Sequence, residues 1–173
     1  MFAIDDHVFY GGIGVCRIAA IENLQFGAAE MQDYYVLQSL GTDSLTYVAT
    51  ASGAQLAHMR QLLTREEILG LIRDMPHEET AWPDNERKRT ELFSATLRSQ
   101  NCHELVRLVC MLYREQDHKR GAGKRLTYAD TRVMDAAERL LYEEFAFVLG
   151  LRAEEVAPFI EAQIALHEEG QSA

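Results

Sequence analysis

The first 60 residues show short apolar runs separated by glycine-rich turns, a pattern typical of short β-strands. Valine, isoleucine, tyrosine and phenylalanine are concentrated in four runs, at residues 2–10, 14–21, 33–40 and 45–50. Within the third run, Tyr-Tyr-Val-Leu is continuously apolar, which indicates a strand covered on both faces. Four or five strands of this length predict a small, strongly bent sheet or SH3-like barrel.

From Thr64 onward the apolar positions repeat with the period of an α-helix. Three helix starts carry an N-cap residue followed three positions later by an acidic residue: Thr64 and Glu67, Asn101 and Glu104, and Thr127 and Asp130. Glycines at 121, 123 and 150 are expected to end two of the helices. The pattern predicts helices at 64–75, 84–98, 101–121, 127–150 and 153–168.

The change of period places a domain boundary near residue 62. We therefore predict an α+β protein of two domains, a small β barrel at 1–62 followed by a compact, all-α helical bundle at 63–173. Residues 76–84 are polar and include two prolines, which makes this segment the best candidate for a hinge.

The composition is that of an ordinary globular protein, with 47% hydrophobic and 25% charged residues among 173. No apolar run approaches the roughly 20 residues of a membrane helix, and the acidic N-terminus is unlike a secretory signal. Cys16, Cys102 and Cys110 show neither a CxxC pair nor zinc-ligand spacing. We expect a reduced, cytoplasmic protein without a metal or cofactor, stabilised by its apolar core.

The net charge of −10 argues against a protein that binds DNA tightly by itself, because such proteins neutralise phosphates with lysine and arginine. The charge is unevenly distributed, however. Residues 82–132 contain eleven basic and seven acidic residues, whereas residues 133–173 contain two basic and nine acidic ones. The basic middle can meet a polyanion locally, or it can simply solvate two helices.

The only tryptophan, Trp82, lies in the polar segment just before a basic run, Arg87, Lys88 and Arg89. Two interpretations are open. The indole can pack in the helical core, as most tryptophans do. Alternatively, it can stack on or wedge between bases while the neighbouring cations bind phosphates.

A second basic cluster surrounds the glycine loop between two predicted helices and consists of Lys119, Arg120, Lys124 and Arg125. A flexible cationic loop can contact a nucleic-acid backbone without reading its sequence. The alternative is a solvated surface loop.

The sequence contains no recognisable catalytic arrangement. The six histidines form no HExxH pattern, and no Walker, GxGxxG or GxSxG motif is present. Cys102 and His103 are adjacent, and neighbouring helix positions point about 100° apart, so both would not face one substrate. We therefore predict that the protein is not an enzyme, with a mechanism based on Cys102 or His103 as the enzymatic alternative.

Several short segments match one family in order over residues 1–150. They are Met-Phe-x-Ile-x-Asp-x-Val-x-Tyr at 1–10, Gly-x-Gly-Val at 12–15, Tyr-Tyr-Val-Leu at 34–37, Trp82 with the basic run at 87–89, and Arg-Leu-Thr at 125–127. As an ordered set they resemble the CarD/CdnL-like bacterial transcription regulators. The first domain of that family is shared with the polymerase-binding module of the transcription-repair coupling factor.

The resemblance implies a non-enzymatic transcription regulator that acts on promoter open complexes. A Tudor-like domain at 1–62 would dock on the β subunit of RNA polymerase, and the helical domain would reach promoter DNA beside the melted region. Trp82 would insert at the distorted minor groove and slow the collapse of the bubble. The phosphate contacts would come from Arg87, Lys88 and Arg89 and from the cluster of Lys119, Arg120, Lys124 and Arg125.

On the same resemblance, polymerase-facing positions that are often basic or polar in the family correspond to Leu24 and Val48. We therefore expect a more apolar docking surface, with Tyr47 and Val48 pairing edge to edge with a polymerase strand. The alternative is an adaptor that binds polymerase or another protein without direct DNA contact. Neither hypothesis involves a membrane or a small-molecule substrate.

Overall fold

The computed structural model describes residues 1–99 and 101–172 and divides the chain into two compact units, Met1–Leu62 and Leu63–Ala173. The first unit is built mainly from strands and the second from helices. The predicted fold class, a small β domain followed by a helical part, is confirmed. Within the described residues, none of the helices combines the length and hydropathy that a membrane crossing requires.

The first unit is a five-stranded antiparallel sheet with the strand order β4-β3-β2-β1-β5. Its elements are β1 (His7–Tyr10), β2 (Gly14–Leu24), β3 (Gln32–Ser39), β4 (Leu45–Ala49), α1 (Gly53–Leu56) and β5 (Met59–Gln61). The short helix α1 connects β4 to β5, the two strands at opposite edges of the sheet. Strand β4 therefore pairs with β3 along one side only.

The first two strands differ from the predicted runs at one end each. Strand β1 begins at His7 rather than at residue 2, because Asp5 adopts a positive φ of 71° and the chain turns there. Strand β2 extends to Leu24, and its register with β3 shifts between Ile18 and Ala20. Such a bulge interrupts the alternation of inward and outward residues, so a pattern of period two cannot follow it.

The core of the first unit lies against one face of the sheet. Its buried members are Val8, Cys16, Ile18, Tyr35, Leu37, Val48 and Met59. Because side chains alternate along a strand, Tyr47 points away from this core while Val48 points into it. On the opposite face of β3 and β4, Tyr34 and Val36 are also buried, whereas Tyr47 is exposed.

The second unit consists of α2 (Arg65–Asp74), a 3₁₀ turn (Met75–His77), α3 (Glu86–Arg98), α4 (Cys102–Gly121), α5 (Tyr128–Leu149) and α6 (Ala153–Ser172). The three predicted N-caps are confirmed. The side chains of Thr64, Asn101 and Thr127 accept hydrogen bonds from backbone amides in the first turn of the helix that follows each of them. Gly150, with a φ of 69°, ends α5 in the left-handed conformation that was expected there.

The polar segment at 76–84 is not a free hinge, so that prediction is wrong. Arg107 and Arg114 lie seven residues apart on α4 and donate hydrogen bonds to the segment. Their acceptors are the carbonyl oxygens of Pro76, Glu78 and Glu79 and the hydroxyl of Thr80. Composition alone indicates a linker because the arginines that bind its carbonyl groups lie 28 to 38 residues away in sequence.

Candidate nucleic-acid and protein interfaces

The indole of Trp82 is partly buried, so it is neither sealed in the core nor free in solvent. Its ring packs edge to face on Phe93 of α3, with ring centroids 5.7 Å apart. The guanidinium of Arg89, also on α3, lies 5.0 Å from the centroid of the indole. Two residues of α3 thus hold the indole at the surface of the helical unit, and a contact between the indole and bases stays a prediction.

Arg89 differs from its two basic neighbours because its guanidinium is directed inward. Its Nε lies 3.2 Å from Oδ1 of Asp130, its Nη1 donates to the Pro83 carbonyl at 3.1 Å, and only 12% of its side chain is exposed. The side chain of Asp130 is 6% exposed and also accepts a hydrogen bond of 2.7 Å from the Thr127 hydroxyl. The structure therefore places Arg89 in an internal ion pair between α3 and α5.

Arg87 and Lys88 are exposed in the first turn of α3, which Asn85 caps. Arg87 forms a solvent-exposed ion pair with Glu91, at 3.1 Å, and the side chain of Lys88 forms no ion pair with the described residues. A cation at a helix N-terminus opposes the helix dipole and costs about 0.3–1 kcal/mol. Their position therefore does not stabilise the helix. It would instead favour the binding of a negatively charged ligand at this end of α3.

The second basic cluster contains two kinds of cation. Lys119 lies 3.9 Å from Glu115 and Arg120 lies 3.5 Å from Asp117 at the C-terminal end of α4, where positive charge stabilises a helix. Lys124 and Arg125 follow the glycine loop, are exposed, and form no side-chain ion pair within residues 1–99 and 101–172. These last two are the cations of the cluster that are available to a ligand.

The Arg89–Asp130 ion pair brings the two basic clusters to one end of the helical unit. Asp130 lies in the first turn of α5, and Arg89 lies in the turn that begins α3. Lys124 and Arg125 directly precede the Thr127 N-cap of α5. Two helix N-termini and their exposed cations thus lie close together, an arrangement suited to anionic groups such as phosphates.

Cys102 and His103 do not face a common site. Cys102 is buried, whereas His103 is exposed and its Nε2 lies 2.8 Å from Oε1 of Glu78. Burial raises the pKa of the Cys110 thiol, which reduces the thiolate that a nucleophile requires. Among the described residues, no three acidic, cysteine or histidine side chains are grouped as metal ligands.

The first unit carries an aromatic patch on the face opposite its core. Phe26, in the turn after β2, contacts Tyr34 and Tyr47 with ring centroids 5.0 and 5.4 Å away. Phe26 is 47% exposed and Tyr47 is 39% exposed. Leu24, at the end of β2, is partly buried and pairs with Gln32, two residues before Tyr34, so it lies on the same face.

The three predicted docking residues therefore fall on two different faces. Leu24 and Tyr47 belong to the aromatic face, whereas the side chain of Val48 is completely buried in the core. The backbone of Val48 faces β3, because Val48 and Tyr35 occupy a hydrogen-bonded position of the antiparallel register, as the flanking bond from the Thr50 amide to the Asp33 carbonyl shows. The main-chain groups of Tyr47 point to the open edge of β4 instead. Sequence reasoning missed Phe26. The signal that could have identified it is an aromatic residue directly before a glycine in a turn, a position where a core side chain is not expected.

Residues 2–62 match the family model described as the CarD-like/TRCF RID domain. The match covers the five strands of the first unit and ends at its last residue. No curated protein matches the sequence.

Proposed function

We propose that the chain is a transcription regulator that binds RNA polymerase and modulates promoter opening, because residues 2–62 match the CarD-like/TRCF RID domain. The first unit anchors the protein on the β subunit. The second unit contacts promoter DNA at the edge of the melted region through Trp82. The function is one of binding and involves no catalysis.

The observation that carries the DNA contact is the basic end of the helical unit. Trp82 is held by α3, whose first turn presents Arg87 and Lys88, and the Arg89–Asp130 pair ties this turn to the start of α5. Lys124 and Arg125 extend the same end. An indole near the exposed cations Arg87 and Lys88 supports a wedge that stacks on exposed bases while lysine and arginine bind the flanking phosphates.

The acidic balance of the chain is compatible with this contact because polymerase supplies the anchor. Once the first unit is bound, the contact between the second unit and DNA becomes intramolecular, at an effective concentration of about 1 mM. A stacking contact of about 1–3 kcal/mol then changes the ratio of open to closed complexes by roughly 5- to 150-fold. A free protein of net charge −10 would gain little from duplex DNA at physiological salt.

We propose the aromatic face of the first unit as the polymerase contact. Phe26 and Tyr47 supply exposed aromatic area, and the adjoining edge strand β4 can add its backbone hydrogen bonds to a strand of the partner. Leu24 lies at the margin of this surface. Tyr47 also offers its outward-facing main chain to the partner strand, whereas the main chain of Val48 pairs with Tyr35.

The deciding experiment is the lifetime of a promoter open complex in the presence of the protein. Trp82→Ala is expected to shorten this lifetime by about five-fold or more, because the stacking contact is lost, while copurification with polymerase stays intact. Leu166→Ala, at an exposed apolar position of α6, is the matched control and should behave as wild type. An unchanged lifetime for Trp82→Ala would exclude the wedge.

The adaptor function, without DNA contact, has one structural feature in its favour. Between α4, α5 and α6 lies an apolar concave site of about 430 Å³, lined by residues that include Val109, Tyr113, Leu141 and Ile160. Such a site suits an apolar partner, and residues 133–173 are strongly acidic. A photo-crosslinker at position 88 or 124 distinguishes the two functions, because it should label promoter DNA in the polymerase complex only if the helical unit touches DNA.

A further inference from the structure

We propose that Asp130 is a positioning residue that fixes the orientation of the Trp82 indole by way of Arg89. The inference concerns the arrangement of the protein alone, and its consequence for transcription rests on the proposed DNA contact of Trp82. Under this proposal Arg89 does not bind a phosphate. It holds the Trp82 indole in place from within the helical unit.

A continuous series of contacts leads from α5 to the indole. The Thr127 hydroxyl donates to Oδ2 of Asp130 at 2.7 Å, and the other carboxylate oxygen lies 3.2 Å from Nε of Arg89. The guanidinium of Arg89 in turn lies 5.0 Å from the centroid of the Trp82 ring. Each group in this series is placed by the one before it, and the series begins at the N-cap of a helix of 22 residues.

The guanidinium is fixed at two points, which determines the plane in which it lies. Its Nε is paired with Asp130 and its Nη1 donates to the carbonyl of Pro83, the residue next to Trp82. A planar group with two directed hydrogen bonds retains little rotational freedom. Arg89 therefore constrains the indole through the ring and also through the adjacent backbone.

The burial of the ion pair explains why Arg89 differs from Arg87 and Lys88. Its side chain is 12% exposed and that of Asp130 is 6% exposed, so both charges depend on each other for compensation. A cation close to an aromatic ring attracts its π electrons, and the attraction is stronger where water is largely excluded. Because the indole is ordered before it meets DNA, less conformational entropy is lost on insertion.

Trp82 is the only tryptophan in the sequence, so its fluorescence reports the proposed positioning directly. In Asp130→Asn the side chain keeps its shape while the charge that holds Arg89 is lost. In Arg89→Lys the charge is kept, but the planar group that spans Asp130, Pro83 and the indole is lost. In both variants we expect emission at longer wavelength and acrylamide quenching about two-fold faster than in wild type.

The matched control is Asp135→Asn, which makes the same acid-to-amide change at an exposed position of α5. Its tryptophan emission and quenching should equal those of wild type. All spectra are recorded at a temperature where circular dichroism shows full helical content, so that unfolding does not contribute. If Asp130→Asn does not fold, Arg89→Lys decides the question, since it leaves Asp130 with a counter-ion.

The proposal that Asp130 positions the indole is overturned if quenching shows the indole of the folded variants to be no more accessible than in wild type. It is supported if accessibility rises in them and not in Asp135→Asn. Open-complex lifetimes then separate the two proposals. If Trp82→Ala leaves the lifetime unchanged, the DNA contact fails while the fluorescence result still decides the positioning. If Trp82→Ala shortens the lifetime, the positioning variants should shorten it at least three-fold, and an unchanged lifetime in them would overturn the positioning.

Discussion

The carboxylate of Glu144, which is completely buried in α5, accepts a hydrogen bond of 2.9 Å from the backbone amide of Leu63. Leu63 is the first residue of the helical unit, 81 positions earlier in the chain. A buried carboxylate is costly unless it is hydrogen-bonded, and a buried backbone amide likewise needs an acceptor. This contact therefore joins the start of the helical unit to the C-terminal half of its longest helix.

Glu144→Ala is expected to lower the free energy of unfolding by about 2–4 kcal/mol, because it removes the acceptor and leaves a cavity. Glu144→Gln keeps one acceptor oxygen and should cost less. Urea denaturation followed by circular dichroism measures both, with the exposed Asp135→Asn as a control expected within about 0.5 kcal/mol of wild type. Equal stability of the alanine variant and wild type would show that the contact contributes nothing.

The parts of the fold that sequence reasoning predicted are those encoded locally. Thr64, Asn101 and Thr127 are N-caps because a side-chain oxygen satisfies amides only two or three residues away, so a short window contains the whole interaction. The bulge in β2 and the hydrogen-bonded segment at 76–84 depend on partners from other elements. Those partners cannot be identified from periodicity.

The candidate site likewise has features that are encoded locally and features that depend on distant residues. The basic run and the lone tryptophan are visible in the sequence, but the different role of Arg89 is not, because it depends on Asp130, 41 residues away. Val48 was assigned to the docking surface by resemblance, and the alternation of β4 instead directs its side chain into the core. Phe26 joins the aromatic face only because the turn after β2 folds back over Tyr34.

Phe26→Ala and Tyr47→Ala should each weaken binding to RNA polymerase by roughly 5- to 30-fold, because aromatic side chains in an interface commonly contribute about 1–2 kcal/mol. Binding is measured by biolayer interferometry on immobilised polymerase. Ile4→Ala is the control, since Ile4 is an exposed apolar residue of the same unit outside the aromatic face. Wild-type affinity in both aromatic variants would place the polymerase contact elsewhere on the unit.

The stability of the helical unit should decrease in alkaline solution because of a tyrosine pair. Burial raises the pKa of Tyr113, and its hydrogen bond to Glu138 raises it further, while burial also raises the pKa of Tyr142. The unfolded chain, with an ordinary pKa of 10.0, then loses its phenol protons first. The stabilising contribution is complete below that pH and is lost as the pH rises through the higher folded values.

Tyr113→Phe removes one of these two titrating phenols. The decrease in thermal midpoint between about pH 9 and pH 11 should therefore be smaller in this variant than in wild type. Tyr128→Phe is the control, because Tyr128 is largely exposed, and it should reproduce the wild-type pH profile. The assignment fails if Tyr113→Phe and wild type lose stability in parallel over this range.

The exposed cations at the basic end should act on DNA through phosphates, which makes their effect dependent on salt. Lys88→Gln and Lys124→Gln each remove one cation whose side chain forms no ion pair with the described residues. The ratio of open-complex lifetimes with and without the protein is plotted against salt concentration on logarithmic axes. Each variant should reduce the slope by roughly 0.9, the value for one phosphate contact.

Lys119→Gln should change the slope less, because Lys119 is partly buried beside Glu115. Arg98→Gln removes an exposed charge at the opposite end of α3 and should leave the slope unchanged. An equal reduction in Arg98→Gln would mean that only net charge matters, and the local contact would be refuted.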